Sequence, residues 1–406
     1  MRKKKILVIN PISLFPKVMA SQDRVFNMIK RLSHDHSVDV VTRVRDDAEL
    51  NESRKNLEDC CSQFFPLPAL NPRDNILKRG FYAFKYSFYR HIFKYPANYF
   101  YYTHKYYLSR LSDIIFKGRY DIVQVEYWYM AKIFSMLKDI KLKVVDSHDI
   151  LFDKENQEFR NRFGENLSFS KRRYLQEYKK LEINHLNLAD LIICISRADQ
   201  ENLSGFSLKN KRIIIPTGQD IDFFKNYKTN LDEKSILFYG SMGSRPNIDA
   251  FFMFYYKILP LIKKEVRDIN VIVVGANPPD SIKKLHNGKS MVVTGFLDDV
   301  RSYIAQANFL ILPLNVAAGF RSRVVDVMAM GIPVIGTHKA LDSFEMRDGI
   351  HGFVTDSNAE MANCAIKLVS DLKLRNQLGE ECKKLAAERY SIEATYGKLS
   401  KYFLEI

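Results

Sequence analysis

The sequence predicts an α/β protein of two Rossmann-like, doubly wound domains facing across a cleft. Short β-branched runs alternate with longer amphipathic stretches along the chain, the pattern of strands joined by crossover helices. Several runs are apolar nearly throughout, as strands buried on both faces must be. The alternation then restarts after a Pro- and Gly-punctuated, polar interruption at residues 216–234. At 406 residues the chain has room for two cores of about 200 residues each.

The first half offers strands at residues 5–10, 37–42, 121–126, 143–146 and 191–195. The run at 5–10 follows a basic start and imitates a signal peptide, but Asn10 and Pro11 end it too early, so it reads as a first buried strand. The second half offers strands at 235–239, 270–274, 291–293, 309–312 and 333–336. The expected domains are 1–215, completed by a C-terminal helix at 388–406, and 216–387. In such sheets ligands sit at the carboxyl ends of strands, at a topological switch point.

Composition narrows the classes. Hydrophobic content of 46% and charged content of 27% are those of a globular protein. No apolar run approaches the ~18 residues a membrane helix needs. Cys60, Cys61, Cys194, Cys364 and Cys382 form an odd set without metal spacing, read as free thiols in a reducing cytoplasm. A net charge of +15 favours a polyanionic partner. No zinc-finger, RRM or basic-zipper pattern points to nucleic acid.

Residues 313–337 carry the most chemistry: strand, Gly-containing loop, helix, stop, strand. The helix is expected to start near Gly319 or Phe320, with Gly331 at its carboxyl cap and Pro333 preventing continuation. Arg321 and Arg323 then fall in or beside its first turn, where cations oppose the helix dipole at up to ~1 kcal/mol each. A docked diphosphate would reverse that sign, held by free N–H groups and two guanidinium forks. The alternative is that both arginines pair with nearby carboxylates. Asp326 shares a helix face with Arg323 and could accept ribose hydroxyls or pair with the arginine. Gly240, Ser241 and Arg245 lie in a loop between a strand and a helix for which Asn247 is the expected N-cap. Gly275 and Gly295, before Phe296, occupy equivalent strand ends and describe the rim of one pocket. In the first half, Asp146, Ser147, His148 and Asp149 follow an apolar strand, so His148 stands at a carboxyl end where it can stabilise developing charge or bond a sugar hydroxyl.

At these residues the chain resembles the family 4 retaining glycosyltransferases, glycosyl transferases group 1, of GT-B fold. The resemblance runs through residues 240–249, 277–279, 294–296, 313–337 and 348–356, with 216–224 similar to an interdomain segment and His148-Asp149 to a histidine-bearing motif. It implies a retaining hexosyltransferase that needs neither metal nor cofactor. A nucleotide-diphosphate sugar would be held by the second domain, and a saccharide or lipid-linked acceptor by the first. Retention is explained there by same-face attack, with the leaving phosphate assisting deprotonation. His148 and Arg321 are the implied catalytic residues. Gly240, Ser241, Arg245, Gly275, Phe296, Gly319, Phe320, Arg321, Arg323 and Asp326 are the implied donor residues, and Asp149, Glu126 and Arg24 the acceptor residues. Asp220 and Asp222 read as interdomain structure and not as a manganese site. The family often carries two glutamates eight apart around the donor helix; here Ala318 and Asp326 stand there. Ala318 keeps open a non-catalytic binding subunit. A nucleotide-sugar epimerase is a further alternative, but the carboxylate pair it would need is not evident.

Between Phe81 and Tyr107, 14 of 27 residues are aromatic, and Asn71 to Arg110 holds eight Lys or Arg against one Asp. That mixture suits an anionic membrane interface, a stacking surface for sugars or bases, or helices packing tyrosines into the core. The expected setting is cytoplasmic, peripheral on the inner membrane face, in assembly of a surface polysaccharide or glycolipid.

Overall fold

The computed structural model describes residues 2–17, 19–68, 99, 103–227, 234–316 and 319–406. The chain forms two compact units, Met1–Gly218 with Thr395–Ile406, and Gln219–Ala394. Residues 388–394 therefore belong to the second unit, and only the end of the chain returns to the first.

The first unit holds a seven-stranded sheet in the order β3-β2-β1-β4-β5-β6-β7. Its strands are β1 Lys5–Asn10, β2 Ser37–Val44, β3 Gln63–Pro68, β4 Ile122–Glu126, β5 Leu142–Asp146, β6 Leu191–Cys194 and β7 Lys211–Ile214. All pairings are parallel, and the order reverses between β1 and β4. β4 and β6 are buried at every position, which is why they read as uninterrupted apolar runs. β3 and β7 lack that signal. Both are edge strands, half-exposed along most of their length, and β3 contains Pro66 and Pro68, which an edge tolerates.

The helix Ala20–Asp35 buries Gln22, Arg24, Val25, Met28, Ile29 and Leu32, a helical spacing that turns one charged side chain inward. The terminal helix Lys398–Glu405 packs on it through Leu399, Ser400 and Phe403. Ser400 Oγ donates to Asp35 at 2.6 Å, and His36 Nε2 meets the Ser400 carbonyl at 3.1 Å.

The second unit holds six parallel strands in the order β10-β9-β8-β11-β12-β13. They are β8 Ser235–Tyr239, β9 Asn270–Val274, β10 Met291–Val293, β11 Phe309–Leu312, β12 Val334–Gly336 and β13 Gly352–Val354. Here the order reverses between β8 and β11. In each unit the reversal brings the ends of two divergent loops together, the position where α/β sheets bind ligands.

The five cysteines are free. Most of residues 81–107 and all of Ala318 lie outside the described residues. Of that aromatic stretch, Tyr99 stacks on Trp128 at 5.9 Å, and Tyr107 is buried with its hydroxyl donating to the Pro68 carbonyl, so these two pack into the core.

Candidate functional site

In the first unit the chemistry gathers at the carboxyl ends of β4 and β5. Asp146 ends β5 fully buried and is gripped by Arg24, itself 2% exposed. Arg24 Nε donates to Oδ2 at 3.0 Å and Nη2 to Oδ1 at 3.1 Å. Nη2 also reaches the Ile215 carbonyl at 3.0 Å, and the guanidinium lies 5.9 Å over the Tyr396 ring. Burial alone would weaken this charge; the Asp146 carboxylate overrides it and holds the arginine above its ordinary pKa. Arg24 is thus a buried structural cation tying helix Ala20–Asp35 to β5. It presents no group to an acceptor, contrary to the sequence expectation.

Asp146 also receives the His148 amide at 3.3 Å, and His148 Nε2 meets Glu126 Oε2 at 2.7 Å. Glu126 is buried at the end of β4, and its Oε1 accepts from Gln124 Nε2 at 2.8 Å. Burial first, and the Asp146 charge second, push its carboxyl above the usual range, with the His148 contact opposing. Glu126 is fully buried, and its carboxylate is engaged by His148 and Gln124. His148 and Tyr127 both adopt positive φ, +57° and +68°, and their rings stack at 4.2 Å. Tyr129 continues the stack at 5.5 Å. Left-handed non-glycine residues at the ends of adjacent strands are the strained backbone that functional sites retain. Asp149 is partly exposed and pairs with Lys154 at 3.2 Å. Glu126, Asp146 and His148 offer ligand atoms within 4.8 Å of one another. Arg24 holds both Asp146 oxygens, however, and a cation would have to displace that guanidinium.

The loop after His148 is fixed from a distance. Glu182, fully buried, accepts from the amides of Leu151 and Phe152 at 3.0 and 2.8 Å, supporting the start of helix Leu151–Phe163. Burial pushes its carboxyl up to about 8 from 4.5. Between those values the folded chain holds a proton that the unfolded chain lacks, so this group lowers stability as pH rises. Denaturation of wild type and Glu182→Gln at pH 5 and pH 8 should show the wild type losing on the order of 3 kcal/mol more over that interval.

In the second unit the site lies at the β8–β11 reversal. The helix expected near Gly319 or Phe320 is Ser322–Ala329, with Arg321 as its N-cap, so it starts later than the sequence suggested. Arg321 is buried and occupied. Its Nε donates to the Ala340 carbonyl at 2.7 Å and Nη1 to the Gly319 carbonyl at 2.9 Å. Nη2 pairs with Asp342 at 3.0 Å. The carboxylate-paired alternative is the one observed for this arginine, and its role is to brace the helix start.

Arg323 is different. It is half-buried, and among the described residues no hydrogen bond or ion pair holds its guanidinium, which lies 5.9 Å over the Tyr239 ring. Burial lowers its pKa, with the electrostatic influence of Tyr239 and Asp326 opposing. A Cβ on Gly240 would stand 2.7 Å from Arg323 Nη1 and 3.1 Å from Asn247 Nδ2. The bare glycine backbone is what lets the guanidinium lie over the end of β8. Asp326 is buried beside Tyr239 and Arg323, and raises the Tyr239 pKa second only to burial.

Three loops are stitched beneath this point. The Gly240 amide donates to Val274, Met242 to Ala276, and Gly275 to Gly295. Gly275 sits at φ +152°, and a Cβ there would be 1.7 Å from the Gly240 carbonyl oxygen. Its need for glycine is backbone packing. Gly275→Ala is expected to destabilise the chain by at least ~1–3 kcal/mol from the strained φ alone, measured by urea unfolding.

The remaining sequence candidates scatter. Helix Arg245–Met253 starts at Arg245, with Pro246 in its first turn, and Asn247 instead donates to the Ser241 carbonyl at 2.8 Å. Arg245 is exposed and pairs with Asp249 at 2.9 Å, and Ser241 is exposed. Phe296 is 73% exposed. Phe320 packs against Phe344 and Tyr390, and Gly319 serves Arg321 through its carbonyl. A cavity of about 430 Å³ lies on the same rim, lined by Leu314, Asn315, Thr337, His338 and Asp342, among others. Sequence reasoning missed Tyr239; its position as the last residue of β8, before Gly240, was the available signal. It also missed Glu182, for which no local signal exists.

Two all-parallel Rossmann-like units, each with a strand-order reversal, define a two-domain α/β protein of GT-B type. Sucrose-phosphate synthase from Thermosynechococcus elongatus shares the fold with a TM-score of 0.69 at 16% identity, covering 99% of each chain. Anabaena HepE, solved with UDP and glucose, gives a TM-score of 0.62 at 15% identity over 99% of this chain and 100% of that one. An uncharacterized 44.6 kDa protein in the cps region of Klebsiella pneumoniae is 22% identical over 72% of this chain and 76% of its own length. The Glycosyltransferase Family 4 pattern matches residues 22–223, and the Glycosyl transferases group 1 pattern matches residues 233–371. The chain belongs to this family and is a glycosyltransferase.

Proposed function

We propose that the chain is a retaining, metal-independent hexosyltransferase that uses a nucleotide-diphosphate sugar and acts on a saccharide or lipid-linked acceptor. Arg323 carries the reading: a half-buried guanidinium without a hydrogen bond among the described residues, poised over a glycine backbone at the start of a helix. A diphosphate supplies the missing anion, and the first amides of Ser322–Ala329 add donors. Asp326 takes the ribose hydroxyls. The 430 Å³ cavity beside Asn315 and Thr337 gives room for the sugar. His148, set by Glu126 and Asp146, is assigned to charge on the reacting sugar. Arg321 braces Arg323's helix and does not bind phosphate itself. The leaving phosphate, on the same face as the attacking hydroxyl, takes its proton.

Because HepE was solved with UDP and glucose, UDP-glucose is the first donor to test. The setting is cytoplasmic and peripheral to a membrane, in surface polysaccharide or glycolipid assembly. Purified chain should release nucleoside diphosphate from one nucleotide sugar in a UDP, GDP and ADP series, without added metal and faster with acceptor. Its product should keep the donor's anomeric configuration by NMR. Release from none of the series, or an inverted product, would overturn the reading.

A further inference from the structure

The tip of the helical hairpin formed by Leu151–Phe163 and Phe169–Leu186 combines clustered cations with exposed phenyl rings. From residue 160 to 173 it carries Arg160, Arg162, Lys171, Arg172 and Arg173 against one acid, Glu165. Glu165 pairs with Arg160. The other four cations have no ion-pair partner among the described residues. Two phenyl rings stand among them: Phe169 is 75% exposed and Phe163 43%. Lys171 Nζ lies 3.4 Å and the Arg162 guanidinium 5.3 Å from the Phe163 ring centre.

The tip is backed by a column of rings. Phe163 meets Phe159 at 5.8 Å, Phe159 stacks on Tyr174 at 5.5 Å, and Tyr174 stacks on Tyr178 at 6.0 Å. Tyr178 meets the fully buried Trp128 edge-on at 5.9 Å. Phe163 is therefore held at the end of a packed aromatic spine, and Phe169 stands beside it at the start of the second helix. A small anionic ligand needs donors converging on a cavity. Here the cations ring protruding apolar groups, which fits a broad anionic surface that also accepts phenyl rings.

We propose that this hairpin tip is a docking surface for an anionic lipid bilayer, with Phe163 and Phe169 at headgroup depth and Arg162, Lys171, Arg172 and Arg173 against the lipid phosphates. The proposal deepens the membrane setting given above and rests on it, but uses no residue of the nucleotide site. It also places the contact on an element other than residues 81–107, where sequence composition pointed.

Flotation with vesicles of phosphatidylcholine alone, and of phosphatidylcholine with phosphatidylglycerol, tests it. Wild type should float only with the anionic vesicles, and less as salt is raised. The double variant Arg172→Glu/Arg173→Glu should lose about thirtyfold or more in partitioning, and Phe169→Ser should lose part of it without changing the salt dependence. Emission of Trp128, the single tryptophan, and nucleotide binding should match wild type in both variants, separating a failed docking surface from a failed fold or donor site. Equal flotation of variants and wild type would overturn the proposal and return the contact to residues 81–107. So would wild type that ignores anionic vesicles yet binds a soluble polyanion.

Discussion

Arg323→Ala should weaken nucleoside diphosphate binding by about tenfold to a hundredfold while leaving the fold intact. A charge-assisted hydrogen bond to phosphate is worth ~1.5–3 kcal/mol, and each 1.4 kcal/mol is a factor of ten. The fold should stand because the guanidinium donates to no group among the described residues, so its removal strands none of them. Arg321→Ala should behave in the opposite way. It leaves the buried Ala340 carbonyl without the Arg321 donor and removes one of the three donors to Asp342, which keeps Lys339 and Ser343, at a cost of ~1–3 kcal/mol in stability. Its effect on nucleotide affinity should be the smaller and indirect one. Calorimetric titration and urea unfolding of both variants check the pair; equal nucleotide affinity of Arg323→Ala and wild type would remove the basis of the donor site.

Arg24→Ala should be the most destabilising single change in the first unit, by ~3–5 kcal/mol. Asp146 has no exposed surface, and without Arg24 it is a buried carboxylate with only the His148 amide against it among the described residues. The Ile215 carbonyl loses its donor at the same time. Apolar replacement of both partners, as in Arg24→Met/Asp146→Leu, should recover much of that stability, since the cost lies in the uncompensated charge. The recovered protein should remain catalytically impaired, because Asp146 also holds the His148 backbone in its left-handed conformation. Urea unfolding checks the first point and donor turnover the second. A double variant as unstable as Arg24→Ala would contradict this account of the pair.

Much of the architecture was legible because parallel strands buried on both faces leave long apolar runs. β1, β4 and β8 are found that way. β3 and β7 were missed because an edge strand needs no such run. The site was legible to the level of loops and not of side chains. That Arg321 and Arg323 share a helix start follows from spacing. Which of them faces an open space depends on Asp342 and Ala340 in a later helix, and no local pattern reports that. Arg24 reads as a surface cation until its helix face is known, and Asp146, 122 residues away, decides its role. Gly275 was noticed as a strand-end glycine, but its reason is the Gly240 carbonyl of another loop.

The most direct measurement is a crystal structure of the chain with a nucleoside diphosphate. The account predicts a phosphate oxygen within hydrogen-bonding distance of Arg323 Nη1 above Gly240, with Arg321 still bound to Ala340 and Asp342. A nucleotide seated away from the β8–β11 reversal, or held by a rotated Arg321 with Arg323 untouched, would contradict it.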